Sequence, residues 1–223
     1  MTAPAAAATA YPAIPTGGAR IAAYALFSRL TASPFAAEPG PPADLSAVLL
    51  RLERGLPYPA GLGGLAEAGE ALGPDDLAVF AREYSALFEV GSDGPLLCIR
   101  EELARADGPK AKEEVVRFYD FFGYRLNDAQ AWAPDHLSVE LEFLHFLAFL
   151  EGGCGREVDR LSLALAQRDF LERHLLAWVP GQAEGVARAA SSPYLRALFE
   201  ALACFLAADF GWRWRTLAGE EQG

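Results

Sequence analysis

The sequence predicts an all-α fold built as a single-domain helical bundle, and three observations carry that expectation. Apolar residues recur three and four positions apart through most of the chain. No run of Val, Ile and Thr alternates as a half-buried strand does, and no internal repeat is evident. With 223 residues, 52% of them hydrophobic, the chain has enough apolar side chain for one sizeable core.

The elements follow in order. The Ala/Pro-rich stretch over residues 1–18 reads as a disordered tail, ahead of a helical domain over 19–215 and a flexible end over 216–223. Ile21, Tyr24, Phe27 and Leu30 mark the first helix, and Leu45, Val48, Leu49, Leu52 and Leu56 the second, after the break "EPGPPAD". The Gly-rich "PAGLGGLAEAGEALGPDD" predicts a loop with a short helix, and Pro74-Asp75-Asp76 opens the next helix with acids in its first turn. Leu77, Phe80, Tyr84, Leu87 and Phe88 form its expected buried face. "EVGSDGPLL" ends it with a Gly/Pro turn, and helices are expected over 99–105 and 112–124. Asp135 is placed to cap the following helix, whose face is Leu137, Leu141, Leu144, His145 and Ala148 and whose end is Gly152-Gly153. Further helices are expected over 158–178, 182–190 and 194–210.

Charge narrows the functions. Nineteen Lys and Arg against thirty Asp and Glu give a net charge of -11, which works against nucleic acid or an anionic membrane surface and favours a cationic partner. Cys98, Cys154 and Cys204 are odd in number and far apart, suggesting neither a disulfide framework nor a thiolate metal site. No Lys or Arg precedes Arg20, so the N-terminus does not read as a secretory signal. The most apolar windows are interrupted by Glu142 and His145 and by Arg196, Glu200 and Asp209, short of the uninterrupted span of about 18 residues that a membrane helix needs. A soluble cytoplasmic protein is expected.

Catalytic patterns are absent from the sequence. His136 and His145 are nine positions apart and share no helix face as a metal pair, and Glu142 with His145 supplies a single ExxH. No GxSxG, GxxxxGK[ST] or strand-flanked GxGxxG occurs, and "GLGG" stands alone. No metal and no cofactor is expected. Read by itself, His136 is a first-turn helix residue, one turn from Glu140, making an ordinary hydrogen bond.

Three blocks together resemble the TorD/DmsD/NarJ family of redox-enzyme maturation chaperones. These are "EYSALFEVGSDGP" at 83–95, "FYDFFGYRLNDAQAWAPDHLSVELEFLHFLAFLE" at 118–151, and "QRDFLERHLLAWVP" at 167–180 followed by "YLRALFEALACFLAADF". The likeness spans roughly residues 75–212. It departs where Trp132 and Ala133 stand in place of an acidic residue ahead of the Asp-His pair, and where the Gly/Pro loop continues as "LLCIREEL".

The resemblance implies a TorD-like bundle that is not an enzyme. It implies binding of the precursor of a molybdenum-containing oxidoreductase catalytic subunit, through its twin-arginine signal peptide or N-terminal segment, until the cofactor is inserted. The "ELEFLHFLAFLE" and "EYSALFEVG" segments lean toward the subgroup serving nitrate reductase-like enzymes and related dehydrogenase or chlorate, selenate and dimethyl sulfide enzymes, ethylbenzene dehydrogenase among them. Such binding asks for an apolar groove with acceptors for arginine. Tyr84, Leu87 and Phe88 share one helix face and supply a candidate floor, with Pro95 in the loop beyond. Asp135 is the candidate guanidinium acceptor, Trp132 the stacking face, and Pro134, His136 and Glu140 the surrounding contacts. On this reading Asp135→Ala with His136→Ala weakens client binding and leaves the fold intact. The alternatives are a helical metal-dependent hydrolase centred on Asp135 and His136, which requires tightly bound metal, and a generic helical adaptor. Monomer and helix-swapped dimer both remain open.

Overall fold

The computed structural model describes residues 16–35, 41–42, 44–89, 94–128 and 130–219. Most of the two expected tails and positions 90–93 of the Gly/Pro loop lie outside that set, as do the side chains of Pro74 and Asp75. Among the described residues the regular structure is helical, with no strand and one isolated bridge between Arg100 and His136. The all-α expectation holds, and no described helix is long and apolar enough to cross a membrane.

The order is α1 (Thr16–Thr31), α2 (Leu45–Gly55), α3 (Gly63–Glu70), α4 (Pro74–Phe88), α5 (Glu101–Ala104), α6 (Gly108–Phe122), α7 (Leu137–Gly153), α8 (Glu157–Phe170), a π turn (Leu171–Leu175), α9 (Leu176–Ala189) and α10 (Pro193–Ala218). Helix α1 therefore starts before the expected boundary at 19. Helix α10 extends past 215, ending at Gly219, whose φ of 77° is the left-handed geometry that glycine tolerates best. Helix α6 begins a turn earlier than its apolar pattern suggests, because Pro109 suits the first turn of a helix. The expected break between 178 and 182 does not occur. Helix α9 runs through Pro180, and the burial of Trp178, Val179, Gln182 and Val186 outweighs the local preference to stop there.

Helix α7 is apolar nearly all round, with Leu137, Val139, Leu141, Phe143, Leu144 and Leu147 buried. A helix of that kind belongs inside the bundle, and α7 lies between α1 and α8. Phe143 packs on Tyr119 at 4.7 Å and on Phe170 at 4.9 Å between ring centroids. A second aromatic group joins Tyr24 and Phe27 of α1 to Phe205 of α10, and a third joins Phe80, Tyr84 and Phe88 of α4 to Tyr194 and Phe199. Leu77 does not join this face. It is exposed in the first turn of α4, lining an open depression with Leu50 and Leu72.

A buried polar staple fastens α1 to the C-terminal half of the chain. The Arg20 Nε donates to Asp209 Oδ1 at 2.6 Å and its Nη2 donates to Gln167 Oε1 at 3.0 Å. Tyr24 and Tyr58 both donate their hydroxyls to Asp209. Arg213 forms a two-pronged pair with Glu151 at 2.8 and 2.7 Å, so both arginines are matched in a region that excludes water.

Candidate functional site

Two connecting segments, one before α5 and one before α7, meet at the Arg100–His136 bridge and form the candidate site. The Glu101 N–H donates to the Asp135 carbonyl and the Leu137 N–H to the Ile99 carbonyl, both at 3.0 Å. The Leu97 N–H donates to the Leu87 carbonyl at 2.8 Å, tying the first segment to the end of α4. Gly108 closes the far side of α5. A Cβ there would lie 1.9 Å from the Glu102 carbonyl oxygen, so only glycine fits.

Asp135 does not cap α7, as its place in the sequence suggests; it caps α5. Its Oδ2 accepts the Glu102 N–H at 2.9 Å, and its Oδ1 accepts from Arg100 at 3.1 and 3.3 Å. A helix of four residues with no cap of its own leaves its N–H groups short of partners, and a carboxylate brought from 33 positions away meets that need. Glu53 holds the turn ahead of α3, accepting the Ala60 and Leu62 N–H groups at 2.9 Å, and Glu83 accepts the Ser192 N–H at 2.9 Å just before α10.

The cap of α7 is His136. Its Nδ1 accepts the Ser138 N–H at 3.2 Å and lies 2.8 Å from the Ser138 hydroxyl. Burial, with Arg100 nearby, pushes the imidazole down to about 4 against the opposing pull of Asp135, so His136 is neutral at pH 7. A neutral ring leaves Nδ1 free to accept.

The remaining expected contacts divide into two sets. Trp132 is 70% exposed, and the Arg100 guanidinium lies 5.7 Å from the centre of its ring. Pro134 is buried, its carbonyl accepting the Tyr119 hydroxyl at 2.9 Å, while Pro95 is half-buried. Tyr84, Leu87 and Phe88 belong instead to the core. Tyr84 donates its hydroxyl to the Thr31 carbonyl at 2.8 Å, and Phe88 stacks on Phe199. They present no open floor because α10 covers that face.

Glu140 departs most from expectation. It is fully buried beneath the site, and neither carboxyl oxygen has a hydrogen-bond partner among the described residues. Burial, followed by the charges of Glu101 and Asp135, holds it well above the usual carboxylate range, and its full burial keeps it from meeting a cationic ligand. The neighbouring Glu101 pairs with Arg105 at 2.6 Å, and His174 Nδ1 lies 2.9 Å from its other oxygen. Since folding raises the affinity of Glu140 for its proton, that contribution is fully present below about pH 4.5 and is lost as pH rises through the folded value. Over that interval this group makes stability fall as pH rises. Glu140→Gln is expected to flatten that fall of stability with rising pH. Urea unfolding across pH checks it, and parallel curves for the two chains would refute it.

Sequence reasoning missed Arg100. It occupies the place between Asp135 and Trp132 that the pattern suggested for an arginine of a partner. The signal was the "CIREEL" segment, which departs from the family pattern at that point. No cluster of three or more His, Cys, Asp or Glu side chains that could hold a metal ion occurs among the described residues.

Comparison with known proteins adds two findings. The sequence family described as nitrate reductase delta subunit matches residues 56–184, a stretch that contains both segments of the site. The chain is 39% identical over 113 residues to the chlorate reductase assembly chaperone protein of Ideonella dechloratans, covering 49% of this chain and 57% of that one. It is 40% identical over 101 residues to the selenate reductase assembly chaperone protein of Thauera selenatis, covering 44% and 52%. It is 34% identical over 76 residues to the chaperone protein TorD of Vibrio cholerae serotype O1, covering 34% of each. The matched stretches span about half the length of the first two relatives.

Proposed function

We propose, since this chain belongs to the nitrate reductase delta subunit family, that it is an assembly chaperone for a molybdenum-containing oxidoreductase. In this reading it binds the precursor of the catalytic subunit through the twin-arginine signal peptide or N-terminal segment, before export, and performs no reaction of its own. The names of the chlorate and selenate reductase assembly chaperones, which it resembles over half their length, support that role. The cytoplasm is where such a precursor is met.

The observation that carries the reading is the exposed Trp132, set over the Arg100 guanidinium at the junction of the two paired segments. A large aromatic ring left in water and held from behind by a partly buried ion pair is a preorganised anchor for another protein. His136 and Pro95, both half-buried, supply the adjoining surface of the same segments, and Asp135 acts through Arg100 rather than by touching the client. The net charge of -11 steers a basic signal peptide toward the molecule.

The test is a tagged pull-down from the host grown by respiration, with the captured proteins identified by mass spectrometry. The expected result is an unprocessed molybdenum-dependent catalytic subunit. Trp132→Ala should reduce its recovery by about tenfold, with the melting temperature unchanged, since an exposed side chain contributes little to folding. Recovery of the subunit at equal yield by wild type and variant would remove Trp132 from the interface. Capture of unrelated proteins alone would favour the adaptor reading.

A further inference from the structure

A second surface, along α6 and α8 at the edge of the aromatic core, has a different character. Helices α6 and α8 flank a groove of about 590 Å³, with Phe118 and Phe122 in its floor and Phe121 and Leu165 on its rim. Phe121 is 80% exposed and rests edge-on against Phe122 at 4.9 Å, an arrangement the fold of this chain alone does not reward. The π turn at Leu171–Leu175 closes one end of the groove, and such turns within helices recur at functional sites.

The groove is basic in an acidic chain. Arg117, Arg168 and Arg173 line it, against the carboxylates of Glu114 and Asp169. Arg173 answers both acids, at 2.7 and 3.2 Å, and Lys110 lies 3.9 Å from Glu114. Arg117 reaches out to Glu113 at 2.6 Å, an exposed pair that water weakens. Arg168 has no carboxylate partner among the described residues; its guanidinium lies 5.5 Å from the Trp214 ring, and its Nε is buried without a hydrogen bond. One guanidinium, half-buried beside apolar surface and lacking an anion, is the complement of a carboxylate carried on an apolar helix or strand.

We infer that the α6/α8 groove docks an acidic amphipathic segment of a partner protein, its apolar side on Phe118, Phe121, Phe122 and Leu165 and a carboxylate on Arg168. The inference does not rest on the chaperone reading, because that reading concerns the segments before α5 and α7. It describes a partner of opposite charge to a signal peptide. Client capture and groove docking can therefore fail separately.

The test uses the full chain and a fluorescent synthetic helix of about four turns, with Leu and Phe on one face and Glu on the other, and a twin in which every Glu is Lys. Fluorescence anisotropy should show saturable binding of the Glu helix and none of the Lys helix, weakening as salt is added. Arg168→Gln and Phe121→Ser should each weaken the Glu helix by about tenfold. Phe121→Ser keeps the question open to refutation should loss of Arg168 disturb α8, since Phe121 is exposed. Equal binding of the two helices, no binding, or indifference to both substitutions would overturn the inference. So would a wild-type dimer in sedimentation that Phe121→Ser converts to monomer, because a second copy would then be what covers the groove.

Discussion

Asp209→Asn is expected to lower the stability of this protein by about 3–5 kcal/mol, a loss that appears as a fall in melting temperature on the order of 10 °C. The substitution keeps the shape of the side chain and removes its charge, leaving the buried guanidinium of Arg20 with only the more distant Glu151, at 3.6 Å, as counter-ion. Breaking such a pair costs more than the pair contributes, because the desolvated charge stays behind. The doubly substituted Arg20→Met/Asp209→Asn chain should therefore recover much of the loss.

The pH dependence carries the same signature. Burial raises the Asp209 carboxyl, but the charge of Arg20 and the hydrogen bonds from Arg20, Tyr24 and Tyr58 outweigh it and hold the group below the usual range. A depressed carboxyl contributes stability that is present above its unfolded value and lost as pH falls through its folded value. Wild type should weaken below about pH 4 while Asp209→Asn changes less there. Calorimetric melting within a degree or two of wild type for Asp209→Asn would show that the staple does not hold α1 in place.

Asp135→Ala is the second large effect, expected at about 2–3 kcal/mol for the loss of one helix cap and one charge-assisted hydrogen bond. The sequence alone leads to the expectation that Asp135→Ala with His136→Ala weakens client binding and spares the fold; the capping contacts that both residues make lead us to expect a loss of stability as well. Without Asp135 the Glu102 N–H loses its acceptor, and Arg100 keeps only its pair with Glu102 at 2.8 Å. Hydrogen exchange should accelerate at the Glu101 and Glu102 amides and not in α1, and Trp132 should lose the guanidinium that holds it from behind. Client binding should fall too, but through loosening of the segment rather than through loss of a contact. If exchange at Glu101 and Glu102 is unaltered while binding is lost, Asp135 meets the client directly and the assignment to α5 is wrong. Comparison with Trp132→Ala, which spares the fold, separates the two routes.

Helical periodicity was legible throughout because it is local: a residue's neighbours at i+3 and i+4 are fixed by the helix itself. That is why α2, α7 and α10 and most of the buried face of α4 could be read from spacing, along with the family resemblance carried by their motifs. The errors fall where local preference met a distant partner. Pro180 signals a break, yet the packing of Trp178 and Val186 carries α9 through it. Asp135 stands before a helix and reads as its cap, yet its carboxylate turns to Glu102 and Arg100. Tyr84, Leu87 and Phe88 share a face in any helix, and only the position of α10 decides that the face is core.

By itself, then, the sequence determined the helices, the acidic character, the family likeness and the neighbourhood of the Asp135-His136 pair. The tertiary structure decided to whom the carboxylates bond. Asp135 and Glu140 are five positions apart, yet one is matched by Arg100 and the other, lacking a cation and facing Glu101, is held well above the usual carboxylate range. Ionisation inside a protein is set by burial and by the charges that folding brings within a few ångströms, and neither is a property of a residue's neighbours in sequence.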